Sequence, residues 1–541
     1  MTDLDRFSTD TTGLTEVTRP RLMPLLSGDY LDLDIGPMRK TLDGAELRML
    51  AYNGSIPGPT LHVEQGSQIT VQTRNDGDVE TTVHWHGLRL ENQFDGVPHE
   101  TQEPIPVGGS YSCQVQFPDA GFYWYHPHIR EDFAQEMSLY GTIVVEPTDP
   151  DYWPAVDRQL TLTLDDLLVE DGHIAPFHRS GPNFTAMGRF GNVLLINGET
   201  VFSGEAAVGE VVRLYLVNTA NTRIFNFAVR GATAKLVGGD SGRYERETIV
   251  EDVLLAPSER AILDVLFHAQ GEVRLEHRTP DRVYDLGAFT VSPAEGGGAA
   301  AASFPTLRLD PELAAERRSM QHDLERSPDK VLAFFSRMPL LYGADDQTAS
   351  SYACPMHPSV TATAPGSCPQ CGMKLVPSAA TPEPGDPAGH NLNHDHGDGL
   401  GDGLEWEDLM PQINRASDPS NMIWQLIDRE TGAENRAIDW TFTVGDRVKI
   451  RLVNEIDSDH PMHHPFHIHG AGRFLIVSRD GEPEPNLVWK DTVLVRAGQT
   501  VDILLDVSNP GLWMAHCHIA EHAESGMMFS FTVARRPEPV R

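Results

Sequence analysis

The sequence predicts an all-β protein built from three related Greek-key sandwich domains, and two repeated patterns carry that prediction. The first pattern begins with Gly, ends with Asn and alternates apolar and polar residues between them, as a half-buried strand does. Its copies are GSQITVQTRN (66–75), GEVVRLYLVN (209–218) and GDRVKIRLVN (445–454). A second pattern follows each copy, as VGGSYSCQVQF (107–117), APSERAILDVLF (256–267) and AGQTVDILLDV (497–507). Two ordered motifs in three copies indicate homologous domains, and short strands separated by Gly, Pro and Asn turns favour sandwiches over α/β units.

The spacing of the copies locates an insertion before the third domain. Gly66 and Gly209 are 143 residues apart, whereas Gly209 and Gly445 are 236 apart. The added length coincides with a Gly/Ala-rich linker (295–303), a segment of helical character (310–338) and a cysteine-bearing stretch. We therefore expect domains at 1–150, 151–293 and 405–541, with an insert at 294–404.

The charge balance of the chain is strongly acidic. With 42 Lys and Arg against 78 Asp and Glu, the formal net charge is −36, which disfavours binding to nucleic acid and to anionic membrane surfaces. No run of eighteen apolar residues is present, so we expect no membrane span. The N-terminal MTDLDRFSTDTTG lacks the basic and apolar regions of a signal peptide, which favours the cytoplasm at face value, or the periplasm or cell exterior if a leader was removed.

Histidines are concentrated in four short clusters, HWHG, HPH, HPFHIHG and HCHIAEH. Their members are His84, His86, His126, His128, His464, His467, His469, His516, His518 and His522. An HxH pair recurs four times, and residues i and i+2 of a strand point to the same face, so each pair presents two imidazoles side by side. The four pairs supply eight nitrogens, enough for three metal ions, and they fall in the first and third repeats.

Cys517 lies between two of these histidines, in HCHIAEHAESGMM (516–528). If its histidine neighbours face one side of a strand, Cys517 faces the other. Its thiolate can then bind a separate copper with His464, His522 and a weak axial Met527. Two histidines, a cysteine and a long thioether make a blue-copper electron-transfer site. Cys517 would then link that copper covalently to the cluster held by its neighbours.

These four motifs, in this order across three β repeats, resemble those of the multicopper oxidases, which include laccases, ascorbate oxidase and bacterial copper-efflux oxidases. The resemblance covers residues 45–293 and 405–535. It implies three cupredoxin domains and four copper ions, with a trinuclear cluster between the first and third domains. His84 and His467 match the type 2 ligands, His86, His126 and His518 one type 3 copper, His128, His469 and His516 the other, and His464, Cys517, His522 and Met527 type 1.

The activity that the resemblance implies is an oxidation coupled to the reduction of dioxygen to water. The type 1 copper takes one electron at a time from a phenolic compound or from Cu(I), and Cys517 passes it to the cluster. The alternative is a copper-sequestering protein for copper tolerance with little turnover, but such relatives usually lose cluster histidines, and here no ligand position is missing. A nitrite-reducing relative would generally have two domains per chain and no eight-histidine cluster. The sequence does not indicate the oligomeric state.

Proton supply is expected from acids near the clusters. Asp95, nine residues after His86, stands where related enzymes keep an acid near the type 2 copper, although a solvated surface position is the alternative. Many bacterial relatives also have Glu directly after the last type 1 histidine, where this chain has Ala523. Glu524 or Glu521 could serve instead, or water could.

The insert carries a second metal-binding pattern, YACPMHPSVTATAPGSCPQCGMKLVP (352–377). The CxxC turn aims two thiolates at one ion, and a third cysteine with nearby His and Met side chains completes a soft site suited to Cu(I) or Zn(II). The candidate ligands are Cys354, Met356, His357, Cys368, Cys371 and Met373. The stretch resembles the small heavy-metal-binding domain attached to copper-transporting ATPases, which places this module at about 350–378. It would deliver or sense copper, or be a structural zinc site.

The other candidate metal ligands have simpler interpretations. Cys113 is expected to be a small buried strand residue. Met410, Met422 and Met462 are scattered in the sequence and are interpreted as core residues, so no methionine-rich insert of the kind found in some cuprous oxidases is predicted. His390, His394 and His396 would either bind metal weakly or belong to a flexible polar linker.

Overall fold

The computed structural model describes residues 6–293, 299–342, 351–378 and 402–536. It confirms the predicted all-β class, because each repeat forms a sandwich of two sheets. The histidine-rich stretch with His390, His394 and His396 lies outside the described residues. Among those described, no helix has the length and apolar character needed to cross a bilayer.

The first sandwich pairs a five-stranded sheet with a four-stranded sheet. Its strands are β1 (Leu22–Pro24), β2 (Tyr30–Leu42), β3 (Ala45–Tyr52), β4 (Thr60–Glu64), β5 (Gln68–Asn75), β6 (His84–His86), β7 (Ser110–Gln116), β8 (Gly121–His126) and β9 (Gly141–Glu146). The strand orders are β1-β4-β9-β8-β6 and β3-β2-β5-β7. A short helix, α1 (Glu131–Ala134), and a 3-10 turn (Asn92–Phe94) lie in its loops.

The second sandwich pairs sheets of six and five strands. Its strands are β10 (Arg158–Leu167), β13 (Val193–Ile196), β14 (Phe202–Ala207), β15 (Val211–Asn218), β16 (Phe225–Arg230), β17 (Thr233–Gly239), β18 (Gly242–Val250), β19 (Asp252–Leu255), β20 (Arg260–Leu266), β21 (Gly271–Arg278) and β22 (Val283–Ser292), with a small hairpin of β11 (Val169–Glu170) and β12 (His173–Ile174). The orders are β13-β10-β15-β20-β17-β18 and β14-β22-β21-β16-β19.

The third sandwich also pairs six strands with five. Its strands are β23 (Lys330–Arg337), β27 (Ile423–Asp428), β28 (Thr441–Thr443), β29 (Arg447–Asn454), β30 (His464–Ile468), β31 (Gly472–Arg479), β32 (Glu482–Pro483), β33 (Thr492–Val495), β34 (Thr500–Val507), β35 (Gly511–Cys517) and β36 (Met528–Ala534). The orders are β27-β23-β29-β34-β31-β32 and β28-β36-β35-β30-β33. The helices α6 (Pro411–Arg415) and α7 (Ala520–Glu524) and a 3-10 turn (Asn435–Ala437) complete it.

The segment between the second and third sandwiches is helical only in part. It contains α2 (Ala299–Ser303), α3 (Pro311–Ser319), α4 (Gln321–Glu325), α5 (Pro339–Tyr342) and a three-stranded module of β24 (Tyr352–Ala353), β25 (Thr361–Ala362) and β26 (Val376–Pro377). The Asp310 side chain caps α3 by accepting hydrogen bonds from two backbone amides. The helical prediction for 310–338 is wrong for Lys330–Arg337, because this apolar stretch pairs with β29 and buries Leu332 and Phe334 in the third core.

The repeated sequence motifs form the same antiparallel pair in each sandwich, namely β5 with β7, β15 with β20, and β29 with β34. The initial glycines, Gly66, Gly209 and Gly445, all have φ between 84° and 95°, a left-handed conformation that favours glycine. The terminal asparagines each donate from Nδ2 to two backbone carbonyls: Asn75 to Val79 and Ile105, Asn218 to Arg223 and Leu255, and Asn454 to Met462 and Val495. The backbone therefore explains both end residues of the motif: the glycine adopts a positive φ, and the asparagine side chain bonds two backbone carbonyls.

Candidate metal centres

The histidine clusters lie on strands of the first and third sandwiches that face each other. Within the first sandwich, β6 pairs with β8 and sets His84 opposite His126. Within the third, β30 pairs with β35 and sets His467 opposite His516. The ring centroids within the four HxH pairs are 4.9 to 6.1 Å apart.

Eight histidines from the two sandwiches converge into three groups whose ligand atoms lie within 4.8 Å of one another. The groups are His84, His86 and His467, then His86, His126 and His518, and then His128, His469 and His516. All eight are buried. His86 belongs to two of these groups, whereas the family resemblance assigns it to one type 3 ion only.

The group of His128, His469 and His516 shows why these rings fit a cation. Their Nδ1 atoms lie 2.9, 2.7 and 2.9 Å from the Glu131 carboxylate, the Asp95 carboxylate and a backbone carbonyl. An acceptor at Nδ1 keeps the proton there and leaves the lone pair on Nε2. The Nε2 atom of His469 is 3.1 Å from that of His516 and 3.3 Å from that of His128. Three lone pairs at this distance repel one another unless a cation lies between them.

The second group presents nitrogens that have no hydrogen-bond partner among the described residues. His126 donates from Nδ1 to the carbonyl of Pro127 and leaves Nε2 without a partner. His86 has the opposite arrangement, since its Nε2 lies 3.1 Å from Asp491 and its Nδ1 has no partner. Neither ring nitrogen of His518 has one. A buried nitrogen without a partner is costly unless it binds something, so this group also fits a metal ion.

His84 and His467 form the remaining candidate pair. Their Nδ1 atoms lie 2.7 Å and 2.9 Å from the backbone carbonyls of Asp95 and Asp491, and both Nε2 atoms have no partner among the described residues. Burial, reinforced by the neighbouring imidazoles, holds the pKa of His467 well below its usual value. A neutral imidazole is the form that binds metal.

The fourth group lies on the other side of β35 and contains His464, Cys517 and His522. The Cys517 Sγ atom is 3.4 Å from Nδ1 of His464 and 3.8 Å from Nδ1 of His522. All three residues are buried, and burial raises the pKa of the thiol. The carbonyl of Met527 accepts a hydrogen bond from the Cys517 amide, and the Met527 side chain is buried. The set has the donor types of a blue-copper site.

Two aromatic side chains cover the histidines of this fourth group. The Phe334 ring stacks on His464 with centroids 5.3 Å apart, and the Trp424 ring stacks on His522 at 3.9 Å. His464 and His522 are 1% and 0% exposed. The rings of both histidines are therefore covered by packed side chains in the described part of the chain.

Asp95 is buried and lies between two of the histidine groups. Its Oδ2 accepts from Nδ1 of His469 at 2.7 Å, and its Oδ1 has no hydrogen-bond partner in the described structure. Burial raises its pKa, but the charges of His469 and His84 outweigh burial and lower the pKa below its ordinary value. The solvated surface alternative for Asp95 is therefore wrong.

The acids near the end of the chain are further from the metal-facing nitrogens. Glu524 accepts from the amide of Glu131, whose own carboxylate holds His128. Burial, with the charges of Asp132 and Glu131, raises the pKa of Glu524 to about 8. Glu521 is buried and bonds Asn221 and Thr222. Glu524 is thus connected to His128 of the cluster through one intervening residue, Glu131.

Sequence reasoning missed several residues that hold the histidines in place. Asp491 contacts His86 through its carboxylate and His467 through its backbone. The Arg260 guanidinium pairs bidentately with Asp491, with one N–O distance of 2.7 Å, and its Nε donates to the Phe122 carbonyl. Arg260 therefore ties all three sandwiches together. No local sequence pattern links residues so far apart, whereas Glu131, three residues after His128, could have been suspected.

The insert module brings together Cys354, His357, Cys368 and Cys371. The Sγ atoms of Cys354 and Cys371 are 3.5 Å apart, and Nδ1 of His357 lies 3.8 Å from Cys354 and 3.7 Å from Cys368. A tetrahedron with metal–sulfur bonds of about 2.3 Å has edges of roughly 3.8 Å. The four side chains therefore fit one tetrahedral ion. Met356 and Met373 are buried beside them.

Comparisons with known proteins agree with this geometry. Residues 36–150 and 409–537 match family models described as "Multicopper oxidase", and residues 351–378 match a "Heavy metal binding domain". Copper resistance protein A of Escherichia coli is 26% identical over 93% of this chain and 92% of its own. Multicopper oxidase MmcO of Mycobacterium tuberculosis is 26% identical over 91% of this chain and 84% of its own. A Campylobacter jejuni structure titled "a metallo-oxidase" has a TM-score of 0.65 and 20% identity, covering 98% of this chain and 99% of that one, and therefore shares the fold.

Proposed function

We infer that this chain, which belongs to the multicopper oxidase family, is a copper-dependent oxidoreductase that uses dioxygen as its electron acceptor. We propose four copper ions per chain, one at the Cys517 group and three at the eight-histidine cluster. The observation that carries the proposal is the convergence, on shared centres, of buried ring nitrogens that have no hydrogen-bond partner within the described residues. Bound copper would supply one-electron transfer, and four electrons together with four protons would reduce one dioxygen to two waters.

We propose that Cys517 provides the covalent link between the two centres. Its sulfur faces His464 and His522, whereas its sequence neighbours His516 and His518 belong to the cluster. The path from the Cys517 side chain to either neighbour crosses only a few backbone bonds. Successive side chains of a strand point to opposite faces, and residues 516–518 at the end of β35 keep this alternation.

The role proposed for the surrounding acids is to orient the rings and to handle protons. Asp491 and Glu131 accept hydrogen bonds from ring nitrogens of His86 and His128, which fixes which nitrogen of each ring is available for a metal. Asp95 does the same for His469, and its other carboxylate oxygen, 3.4 Å from Nδ1 of His84, accepts no hydrogen bond in the described structure. That oxygen can take up or release a proton next to the cluster.

The reductant is proposed to be Cu(I) or a small phenolic compound that delivers electrons at the Cys517 group. The name of the Escherichia coli relative, a copper resistance protein, supports a role in copper handling. The buried rings of His464 and His522 also favour a small donor. Copper sequestration without turnover predicts bound copper with no oxygen consumption.

The test is the visible spectrum and oxygen consumption of the copper-loaded full chain. We expect the intense charge-transfer absorption of thiolate-bound Cu(II), and oxygen uptake with hydroquinone as reductant. Cys517→Ser should abolish both. Cys113→Ser is the matched control, because Cys113 is a buried cysteine on β7 of the first sandwich and belongs to none of the five metal groups described. Loss of colour in Cys113→Ser, or its survival in Cys517→Ser, would contradict the assignment.

A further inference from the structure

The insert module shares a core with the group around Cys517. A single contiguous cluster of buried side chains includes insert residues Cys354, Met356, Cys368, Met373 and Leu375 together with third-sandwich residues Phe334, Met338, Trp424, Cys517 and Met527. A module that only hung on a linker would not bury its apolar residues in its neighbour's core. The insert is therefore packed against the third sandwich and shares its core.

A polar clamp fixes the cysteine loop to the segment that leads into β30. Lys374 Nζ lies 2.6 Å from Oδ1 of Asp459, and Oδ2 of Asp459 accepts from the Met338 amide at 2.9 Å. The Tyr342 hydroxyl donates to the Lys374 carbonyl at 2.6 Å. Lys374 is three residues from Cys371, and Asp459 is five residues before His464. The clamp thus connects the two candidate metal groups through short stretches of chain.

Strand β23 gives the scale of the separation. Phe334, which stacks on His464, and Met338, whose amide joins the clamp, are four residues apart. At about 3.3 Å per strand residue this places them roughly 13 Å apart. The insert therefore meets the third sandwich within one strand segment of the rings that hold the blue-copper group.

Buried methionines are concentrated in this shared core. Eight of the chain's 16 methionines belong to it, namely Met187, Met338, Met356, Met373, Met410, Met422, Met462 and Met527. The buried core of the first sandwich contains Met49 and Met137, and that of the second contains none among the described residues. Thioethers are soft donors that suit Cu(I), and Met356, Met373 and Met527 belong to the same core cluster as Cys354, Cys368 and Cys517.

We propose that Cu(I) held by Cys354, His357, Cys368 and Cys371 is the immediate electron donor to the Cys517 group. This inference rests on the proposed function. The insert-bound Cu(I) loses one electron and becomes Cu(II), and that electron reduces the type 1 copper from Cu(II) to Cu(I). The product Cu(II) then leaves, because thiolates favour Cu(I) whereas nitrogen and oxygen ligands suit Cu(II). The insert is thereby the site that binds the Cu(I) substrate. Four such cycles deliver the four electrons that reduce one dioxygen.

The experiment mixes the oxidised, copper-loaded full chain with Cu(I) bicinchoninate in the absence of oxygen and follows the bleaching of the blue absorption. If Cu(I) first binds the insert, bleaching becomes first order and independent of Cu(I) concentration once the insert is saturated. In a Cys368→Ser, Cys371→Ser double variant, bleaching should be second order. It should also be about 10²-fold slower at about 10 µM Cu(I), because the tethered donor has an effective concentration of about 1 mM. A chelator competition titration should show one Cu(I) fewer per chain.

A second variant guards against simple misfolding of the insert. Lys374→Met removes the ion pair with Asp459 from the clamp and keeps every proposed ligand, so Cu(I) should still bind while bleaching slows. Lys330→Met is the matched control, because it breaks an ion pair between Lys330 on β23 and Glu430 in the same sandwich. This variant should bleach at the parental rate. Hydroquinone should bleach all these proteins at the parental rate.

The outcomes separate this inference from the proposed function. A protein with no blue absorption would overturn both. A blue protein in which the double variant bleaches with Cu(I) as fast as the parent, or in which the insert takes Zn(II) and binds no Cu(I), would overturn the inference alone. If Lys374→Met bleached at the parental rate, the role assigned to the contact between Lys374 and Asp459 would be overturned.

Discussion

Replacement of Arg260 by methionine should both destabilise the protein and weaken its hold on copper. Arg260 and Asp491 have side chains that are 0% and 3% exposed, and they form a bidentate pair. Removing one partner of a buried pair leaves an uncompensated charge and costs about 3–5 kcal/mol. Asp491 also holds Nε2 of His86 at 3.1 Å. Disturbing such a supporting residue typically costs about 10–100-fold in metal affinity.

Arg213→Met is the matched control for this prediction. Arg213 and Asp264 form an equally buried bidentate pair, with side chains 2% and 1% exposed, but both lie within the second sandwich and contact none of the histidine groups. Urea unfolding of the metal-free proteins should show similar losses of stability for both variants. A copper competition titration should show weaker binding for Arg260→Met only. Equal copper affinity in the two variants would refute the claim that Arg260 acts on the cluster through Asp491.

Two further predictions concern proton handling and pH. Asp95→Asn should slow reoxidation of the reduced protein by dioxygen by about 10²-fold or more, as expected for loss of an acid–base group. Anaerobic bleaching by hydroquinone should stay fast. Unchanged reoxidation in a rapid-mixing experiment would remove Asp95 from proton transfer. Burial, with the Arg223 charge, lowers the pKa of His277 to about 3, so the unfolded chain binds more protons between that value and about 6.5 and stability falls as the pH falls. Between pH 7.5 and 5, wild type should lose about 2 kcal/mol more unfolding free energy than His277→Phe in urea titrations; parallel pH profiles would contradict the buried neutral imidazole.

The repeat motif illustrates how much of the fold could be read from local pattern. The alternation in residues 66–75, 209–218 and 445–454 predicts strands, and all three form. Buried and more exposed residues alternate in β5 and less strictly in β29, whereas every residue of β15 is buried, so the half-buried prediction is wrong for the second copy. The same reasoning fails at Lys330–Arg337, which follows two helices and for which the sequence predicts helix rather than strand. Its strand state depends on parallel pairing with β29, more than a hundred residues later in the chain.

The candidate sites divide in a similar way. Spacing was enough to suspect the histidine pairs and the CxxC turn, since both require only neighbouring residues. The hydrogen bonds that select the metal-facing nitrogen of His86 could not be inferred, because Asp491 is about four hundred residues away. The position of the insert against the Cys517 group likewise depends on the contact of Lys374 with Asp459.

Local periodicity predicts the strand repeats, the histidine and cysteine ligand types and the opposite orientation of Cys517 and its two neighbours, because each of these follows from a few consecutive residues. The three-dimensional packing establishes which described ring nitrogens lack a hydrogen bond, which acids support the rings, how Arg260 joins three sandwiches and where the insert docks. Those features arise from packing between distant segments, and their energies come from burial and charge pairing that no local pattern encodes.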